Sequence, residues 1–270
     1  MSENTEKGSR CPLMTFLHPG DFQNSDAGPH TFGPQLFMNH RVVLLTLNYR
    51  LGPLGFLSAD NEDAPGNLGL RDQSLALRWA KREALNFCAD PDRITIFGSG
   101  SGGESVLLQM LTPFNKNTQL FHRVISQSGS PIMEPKYHRK NRRQDAEKLA
   151  QKVGCGKAKD WFQCLRYKVD SATLLRSSLN LENAWVPKVD MEVSDPFIPR
   201  LPHEMLQEQK DSQVEAVMLG HNTEEGTLLV APFLKDPSRF INFTASMPPI
   251  LFKSNQKKPL QSRLLKLLKK

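Results

Sequence analysis

A glycine-rich turn at residues 97–106, FGSGSGGESV, carries the residues best suited to chemistry in this chain. An apolar β-branched run precedes the turn and a helical pattern follows it. A strand, a tight turn and a helix in this order form a nucleophile elbow, the device that exposes a reactive serine hydroxyl. Ser99 and Ser101 flank Gly100 here. The turn therefore raises the question of whether a working serine occupies the reactive position.

A phosphate-binding loop is the rival interpretation of the same glycines. The GxxxxGK[ST] pattern is absent, and GSGSGG does not match GxGxxG in the frame that places an acid about 20 residues further on. The net charge of +7 is also unevenly placed, because residues 253–270 hold six lysines, one arginine and no acid. A nucleic-acid-binding protein more often carries its basic face on the folded body. We therefore expect no nucleic-acid partner, no cofactor and no metal.

The elements around the turn predict an α/β protein. Short apolar runs alternate with helical patterns, as expected for parallel strands joined by crossover helices. Hydrophobic residues make up 39% and charged residues 23% of the 270 residues, which is ordinary for a globular protein. Helices are expected to open near Gly69, within 102–111 and repeatedly within 144–178. Strands are expected at 12–17, 42–48, 93–97, 123–127 and 214–220.

Several peripheral features carry weaker expectations. The opening MSENTEKGSR has no apolar signal-peptide core, and a basic cluster at 136–143 is expected in a solvated loop. The tail 257–270 places leucines on one helical face, which favours a surface helix packed on the domain over a membrane-surface or partner helix. Asn242 begins a weak glycosylation pattern. A disulfide between Cys155 and Cys164 is plausible in an oxidising compartment.

The motifs together give the chain a family resemblance. LNYRLGPLGFLS, GNLGLRDQSLALRW, DPDRITIFG followed by GG, FHRVISQSGSP and GHNTEEG are similar to segments of the type-B carboxylesterase and cholinesterase family of α/β hydrolases. The resemblance runs from about Pro12 to Asp236. It implies the α/β-hydrolase fold, a mostly parallel central sheet flanked by helices and here incomplete at both ends. We therefore expect a partial type-B carboxylesterase domain at 1–252 and a basic amphipathic tail at 253–270.

The resemblance also implies where the family's catalytic groups would stand. The family elbow reads Phe-Gly-Glu-Ser-Ala-Gly-Gly, which places Gly100 at the nucleophile position and leaves Ser101 as a fallback. Ser99 and Ser101 are otherwise expected to cap free helix amides. The oxyanion positions become Gly20, Asp21 and Ser101, preceded by Pro19, which has no amide hydrogen. A carboxylate at Asp21 would oppose negative charge on the bound oxygen unless it points away.

Of the two remaining triad positions, the acid has a match in this sequence and the histidine does not. Glu225, rather than its neighbour Glu224, matches the family acid. The order in this fold is nucleophile, acid, histidine, yet no histidine follows Glu225 in these 270 residues. The seven histidines are His18, His30, His40, His122, His138, His203 and His221.

Two residue pairs match structural features of the family. Arg50 and Asp72 correspond to a buried ion pair, and Cys155 and Cys164 correspond to a disulfide loop. Family members also extend about 100 residues further before the oxyanion loop and well over 100 after the acid, so the chain is expected to be partial.

The resemblance leads to one main hypothesis and two alternatives. The main hypothesis is a catalytically inactive module of the cholinesterase-like branch that includes neuroligins, neurotactin and glutactin, acting through an unidentified protein partner in cell adhesion or another extracellular interaction. The first alternative is a carboxylic ester hydrolase that uses Ser101 with a base from outside this chain. The second is a truncated product without function. An extracellular or cell-surface location follows only if the family context holds.

Overall fold

A five-stranded parallel sheet forms the centre of the structure. The structure, a computed structural model, describes residues 10–132, 137, 142–179, 181, 185–209, 214–225 and 227. The chain divides into two compact units, Met1–Gly220 and His221–Lys270, and every strand and helix named below belongs to the first. The domain boundary expected at residue 252, the tail and Asn242 lie outside the described residues.

The strands of the sheet run in the order β2-β1-β5-β6-β7, and all neighbouring pairs are parallel. A short antiparallel hairpin, β3–β4, stands apart from the sheet. The strands are β1 (Cys11–Leu17), β2 (Val43–Leu47), β3 (Ser58–Asn61), β4 (Ala64–Pro65), β5 (Ala89–Ser99), β6 (Arg123–Gln127) and β7 (Ala216–Gly220).

Seven α-helices connect or cover these strands in the described part of the chain. They are α1 (Gly52–Phe56), α2 (Leu68–Glu83), α3 (Ser101–Leu111), α4 (Arg142–Lys152), α5 (Trp161–Lys168), α6 (Ser171–Ser178) and α7 (Pro202–Glu208). Short 3₁₀ turns lie at Phe37–Asn39, Ala84–Phe87 and Pro113–Asn115. Leu17, Leu70, Leu77, Ile96 and Val106 are fully buried and form part of the core between the sheet and its helices.

The five strands predicted from the sequence are confirmed, and so are the helices after Gly69 and after the elbow. The β3–β4 hairpin was not predicted, because its polar residues and Pro65 give no alternating apolar pattern. The expectation for the basic cluster is wrong at its end, since α4 begins at Arg142, which is buried. Among the described residues, the helices are too short or too polar to cross a membrane.

The two structural pairs are both present in the fold. Cys155 and Cys164 form a disulfide. Arg50 donates to both carboxylate oxygens of Asp72 at 2.7 Å. The expected burial of this ion pair is wrong, because the side chains are 48% and 25% exposed. Water therefore screens the pair, and its contribution to stability falls toward the range of surface ion pairs, about 1 kcal/mol or less.

Candidate functional site

The elbow stands at the end of β5, where the chain turns into α3. Gly100 has φ 54° and ψ −122°, a conformation that an L-residue adopts only with strain. Its amide donates to the Gln127 carbonyl at 2.9 Å, and its carbonyl accepts from the Glu104 amide at 2.9 Å. These bonds tie the turn to the end of β6 and to the first turn of α3.

The nucleophile position, Gly100, has space for a side chain but carries no hydroxyl. A Cβ atom placed on Gly100 would meet only the Cβ of Pro19, at 3.9 Å, which is ordinary van der Waals contact. A side chain at residue 100 would therefore project freely from the turn toward the loop after β1. The turn therefore has the shape of a nucleophile elbow, but residue 100 itself supplies no hydroxyl.

The loop after β1 faces this position. β1 and β5 are neighbours, and Leu17 is in register with Gly98, so both strands end at the same edge of the sheet. Gly20, Asp21 and Phe22 all have positive φ values, of 121°, 53° and 63°. Gly20 admits no other residue, because an added Cβ would lie 2.0 Å from the Asn24 carbonyl oxygen. Phe22 is fully buried and packs its ring against another ring of the core, which fixes the loop.

The loop after β1 and the elbow both carry backbone amides without an acceptor among the described residues. The amides of Gly20, Asp21 and Ser101 have no acceptor within the described part of the chain. Unpaired amides beside a helix N-terminus favour a negatively charged oxygen. The Asp21 side chain is exposed, so water screens its carboxylate and its opposition to such an oxygen is weak. These amides are therefore available as donors to an anionic or carbonyl oxygen.

The side chain of Ser101, the fallback nucleophile, is buried next to the elbow. Its Oγ atom is buried and accepts from no helix amide within the described residues, so the expectation that it caps a helix amide is wrong. The N-cap residue of α3 is Gly100, which has no side chain to cap with. A base from another chain would have to reach a hydroxyl that solvent does not reach.

His18 lies beneath the same loop as a neutral imidazole. Its Nδ1 atom lies 2.7 Å from the Pro19 carbonyl, which accepts and therefore requires the proton on Nδ1. Burial lowers the pKa of His18, opposed by the Pro19 hydrogen bond. Its Nε2 atom is buried and has no partner within the described residues. The ring stacks on Tyr49 with centroids 4.4 Å apart.

Tyr49 and Glu104 complete a buried polar cluster that the sequence did not reveal. Tyr49 donates its hydroxyl to the His18 carbonyl at 3.0 Å. Burial, together with the charge of Glu104, raises the pKa of the Tyr49 phenol. Glu104 lies in the first turn of α3, where the helix dipole favours a carboxylate, and accepts from the hydroxyl of Tyr137. The NYR and GES segments were the available signals, but neither shows by itself that these side chains meet.

The acid and the nearest histidine in sequence both lie in the second unit. The Glu225 carboxylate accepts from the Asn222 amide at 2.7 Å, which stabilises the turn that contains both residues. His221 is exposed, and its Nδ1 atom lies 3.0 Å from the Asn222 carbonyl. The assignment of Glu225 as the triad acid stays a prediction. Within the described residues, no group of three or more His, Cys, Asp or Glu side chains is arranged to hold a metal ion.

Comparison with known proteins finds one matching family model and several similar proteins. Residues 2–266 match the protein-family model described as Carboxylesterase family. The chain is 33% identical to Carboxylesterase 1C of Rattus norvegicus over 264 residues, which cover 91% of this chain and 47% of that protein. It is 39% identical to Bile salt-activated lipase of Homo sapiens over 210 residues, or 71% of this chain and 27% of that protein.

A third similar protein comes from an insect. Juvenile hormone esterase of Tribolium castaneum is 31% identical over 256 residues, which cover 86% of this chain and 42% of that protein. The chain thus spans about a quarter to a half of the length of these three relatives. All three carry the name of an esterase or a lipase, and none is named as a member of the non-catalytic branch.

Proposed function

Because the chain belongs to the carboxylesterase family, we propose that it is a member that binds through this fold without hydrolysing esters. The observation that carries the proposal is Gly100, which occupies the open position of the elbow and has no hydroxyl. Removing a nucleophile from a hydrolase of this kind leaves only the residual effects of binding and the oxyanion hole. The buried Ser101 hydroxyl does not compensate for this loss.

The proposed role is binding of a protein partner outside the cell, as in adhesion. The Cys155–Cys164 disulfide supports an oxidising compartment. An apolar patch on the surface, here called the α2 patch, supports a protein partner. It consists of Leu75 and Trp79 on α2 with Leu85 and Phe87 in the 3₁₀ turn that follows, and these four side chains are 41–67% exposed.

The α2 patch has the composition of a binding surface. Contiguous exposed apolar patches on soluble proteins often mark interaction sites, and aromatic side chains commonly carry the binding energy. Trp79 and Phe87 pack against each other with ring centroids 5.8 Å apart. The edge strand β2 lies alongside, and its Val43, Leu44 and Leu45 join Trp79 and Phe87 around an apolar groove.

The absence of hydrolysis is tested directly with a nitrophenyl ester and a fluorophosphonate probe. We expect no turnover above a buffer blank and no covalent adduct on the wild-type chain, because the elbow lacks a nucleophile. Ser101→Ala should behave identically to the wild type. Turnover or labelling that Ser101→Ala abolishes would show that the chain is a hydrolase.

Adhesion is tested separately with beads coated with the purified chain and exposed to cells. We expect a Leu75→Ser/Trp79→Ser variant to lose bead binding, because it removes both side chains that α2 contributes to the α2 patch. Leu179→Ser is the control, since Leu179 is even more exposed, at 77%, but lies at the end of α6. Equal loss in the control, or full binding by the patch variant, would count against the α2 patch.

A further inference from the structure

A second site lies at the far end of α3, away from the elbow. A cavity of about 490 Å³ opens where α3 ends and α7 passes, beside the segments that lead into β6 and β7. We call it the α3–α7 cavity. Its volume is typical of sites that hold small organic molecules, about 300–1,000 Å³. The 11 residues of α3 separate the cavity from Gly100 by about 16 Å at 1.5 Å per residue.

The floor of the α3–α7 cavity is apolar. Leu111, Leu120, Phe121 and Met205 line it and are all largely buried, and Met110 adds a second thioether. Methionine side chains adapt to the shape of a ligand because they are unbranched and have three rotatable bonds. A flexible alkyl chain therefore fits this floor better than a rigid polar molecule.

One wall of the cavity is held rigid by a buried amide network. The Asn115 side-chain amide donates to the Gln109 side-chain oxygen at 2.8 Å and to the Gln109 carbonyl at 3.1 Å. Gln109 in turn donates to the Leu70 carbonyl at 2.8 Å. The wall is thus tied to α2 by buried hydrogen bonds.

The rim of the cavity is polar and carries a net positive charge. Its charged residues are Lys116, Arg200 and Glu208, and Arg200 and Glu208 form an ion pair with each other. Lys116 is exposed, and its ammonium has no ion pair or hydrogen bond within the described part of the chain. The carboxyl end of α3 bears a partial negative charge at the floor. A negative ligand group therefore belongs at the rim beside Lys116, not at the floor.

From the apolar floor and the unpaired Lys116 at the rim, we propose that the α3–α7 cavity binds a medium-chain alkyl carboxylate. The alkyl chain lies on the floor formed by Leu111, Leu120, Phe121 and Met205. The carboxylate meets the Lys116 ammonium. The site does not involve the elbow, so the test of ligand binding is independent of whether the chain hydrolyses esters.

The proposal is tested by calorimetric titration of the full chain with hexanoate, octanoate, decanoate and dodecanoate below their micellar concentrations. Each added methylene should tighten binding about fourfold while the floor still has room, since burying a methylene contributes about 0.8 kcal/mol. Decanol serves as an uncharged ligand of the same length. Absence of saturable binding to dodecanoate overturns the proposal.

Two variants locate the site and identify the head-group contact. Gln119→Trp places a large side chain at an exposed residue that lines the cavity, and should weaken both decanoate and decanol at least tenfold. Lys116→Met keeps the apolar stem but removes the charge. It should weaken decanoate about two- to fivefold, the range of an exposed ion pair, and leave decanol unchanged.

Matched controls use exposed residues on and before α5. Gln163→Trp and Lys157→Met make the same substitutions far along the chain from the cavity and should leave both affinities at the wild-type value. A thermal melt of each variant confirms folding. Undiminished binding by Gln119→Trp overturns the site, and equal effects of Lys116→Met on decanoate and decanol overturn the carboxylate assignment.

Discussion

The register of the elbow makes a sharp prediction about which glycine tolerates a side chain. If Gly100 holds the nucleophile position, a Cβ atom there has space, and the nearest atom is the Pro19 Cβ at 3.9 Å. The cost of Gly100→Ala is then only the strain of the backbone at φ 54°, about 1–3 kcal/mol. Reduced freedom of the unfolded chain offsets about 0.4–1 kcal/mol of this cost. We expect a net loss of about 1–2 kcal/mol.

Gly102, two residues further on, provides the contrast. A Cβ atom on Gly102 would lie 2.1 Å from the Leu17 carbonyl oxygen and 3.0 Å from the His18 carbonyl oxygen. Both obstacles are backbone atoms, so β1 or α3 must move by about 1 Å. Overpacking of this kind costs about 1–3 kcal/mol and occasionally more. Because two backbone groups are involved, we expect Gly102→Ala to cost about 3 kcal/mol or more.

The two variants are compared by thermal unfolding followed by circular dichroism. A loss of 1 kcal/mol lowers the Tm of a domain of this size by about 2–4 °C. Gly100→Ala should therefore melt about 5 °C below the wild type, and Gly102→Ala about 6–12 °C or more below it. Gly100→Ser should match Gly100→Ala, since its hydroxyl projects into the same open space. Equal losses at residues 100 and 102 would refute the assigned register.

Two further predictions concern buried titratable groups. Since His18 has a lowered pKa in the folded state, the unfolded chain binds its proton first. The free energy of unfolding should be highest above pH 6.5 and should fall as the pH drops below that value. His18→Asn keeps a donor for the Pro19 carbonyl but does not titrate, so its stability should depend less on pH. Equal pH dependence of the two proteins in urea titrations would contradict this. Lys188 has its side chain 8% exposed and pairs with Asp60 and Glu192, so Lys188→Met should cost about 3 kcal/mol by leaving two carboxylates without their cation. A double-mutant cycle with Asp60→Asn should recover part of the loss, whereas additive losses would argue against coupling.

Local patterns in the sequence determined the order of the elements and the identity of the elbow. The five parallel strands follow from short apolar runs, because each run is set by neighbouring residues and by the period of the side chains. The absence of a hydroxyl at Gly100 also follows from the sequence alone, since the flanking motif residues establish the alignment. The family of the chain is recognisable on the same grounds.

Contacts between distant segments decided what the sequence left open. Only the packing of α3 against the loop after β1 shows that the Ser101 hydroxyl is buried, and only the fold shows that the Arg50–Asp72 pair is partly exposed. The α3–α7 cavity is likewise formed by segments far apart along the chain. Burial and cavity shape depend on which distant segments pack against each other. A periodic pattern within a short segment does not specify those contacts.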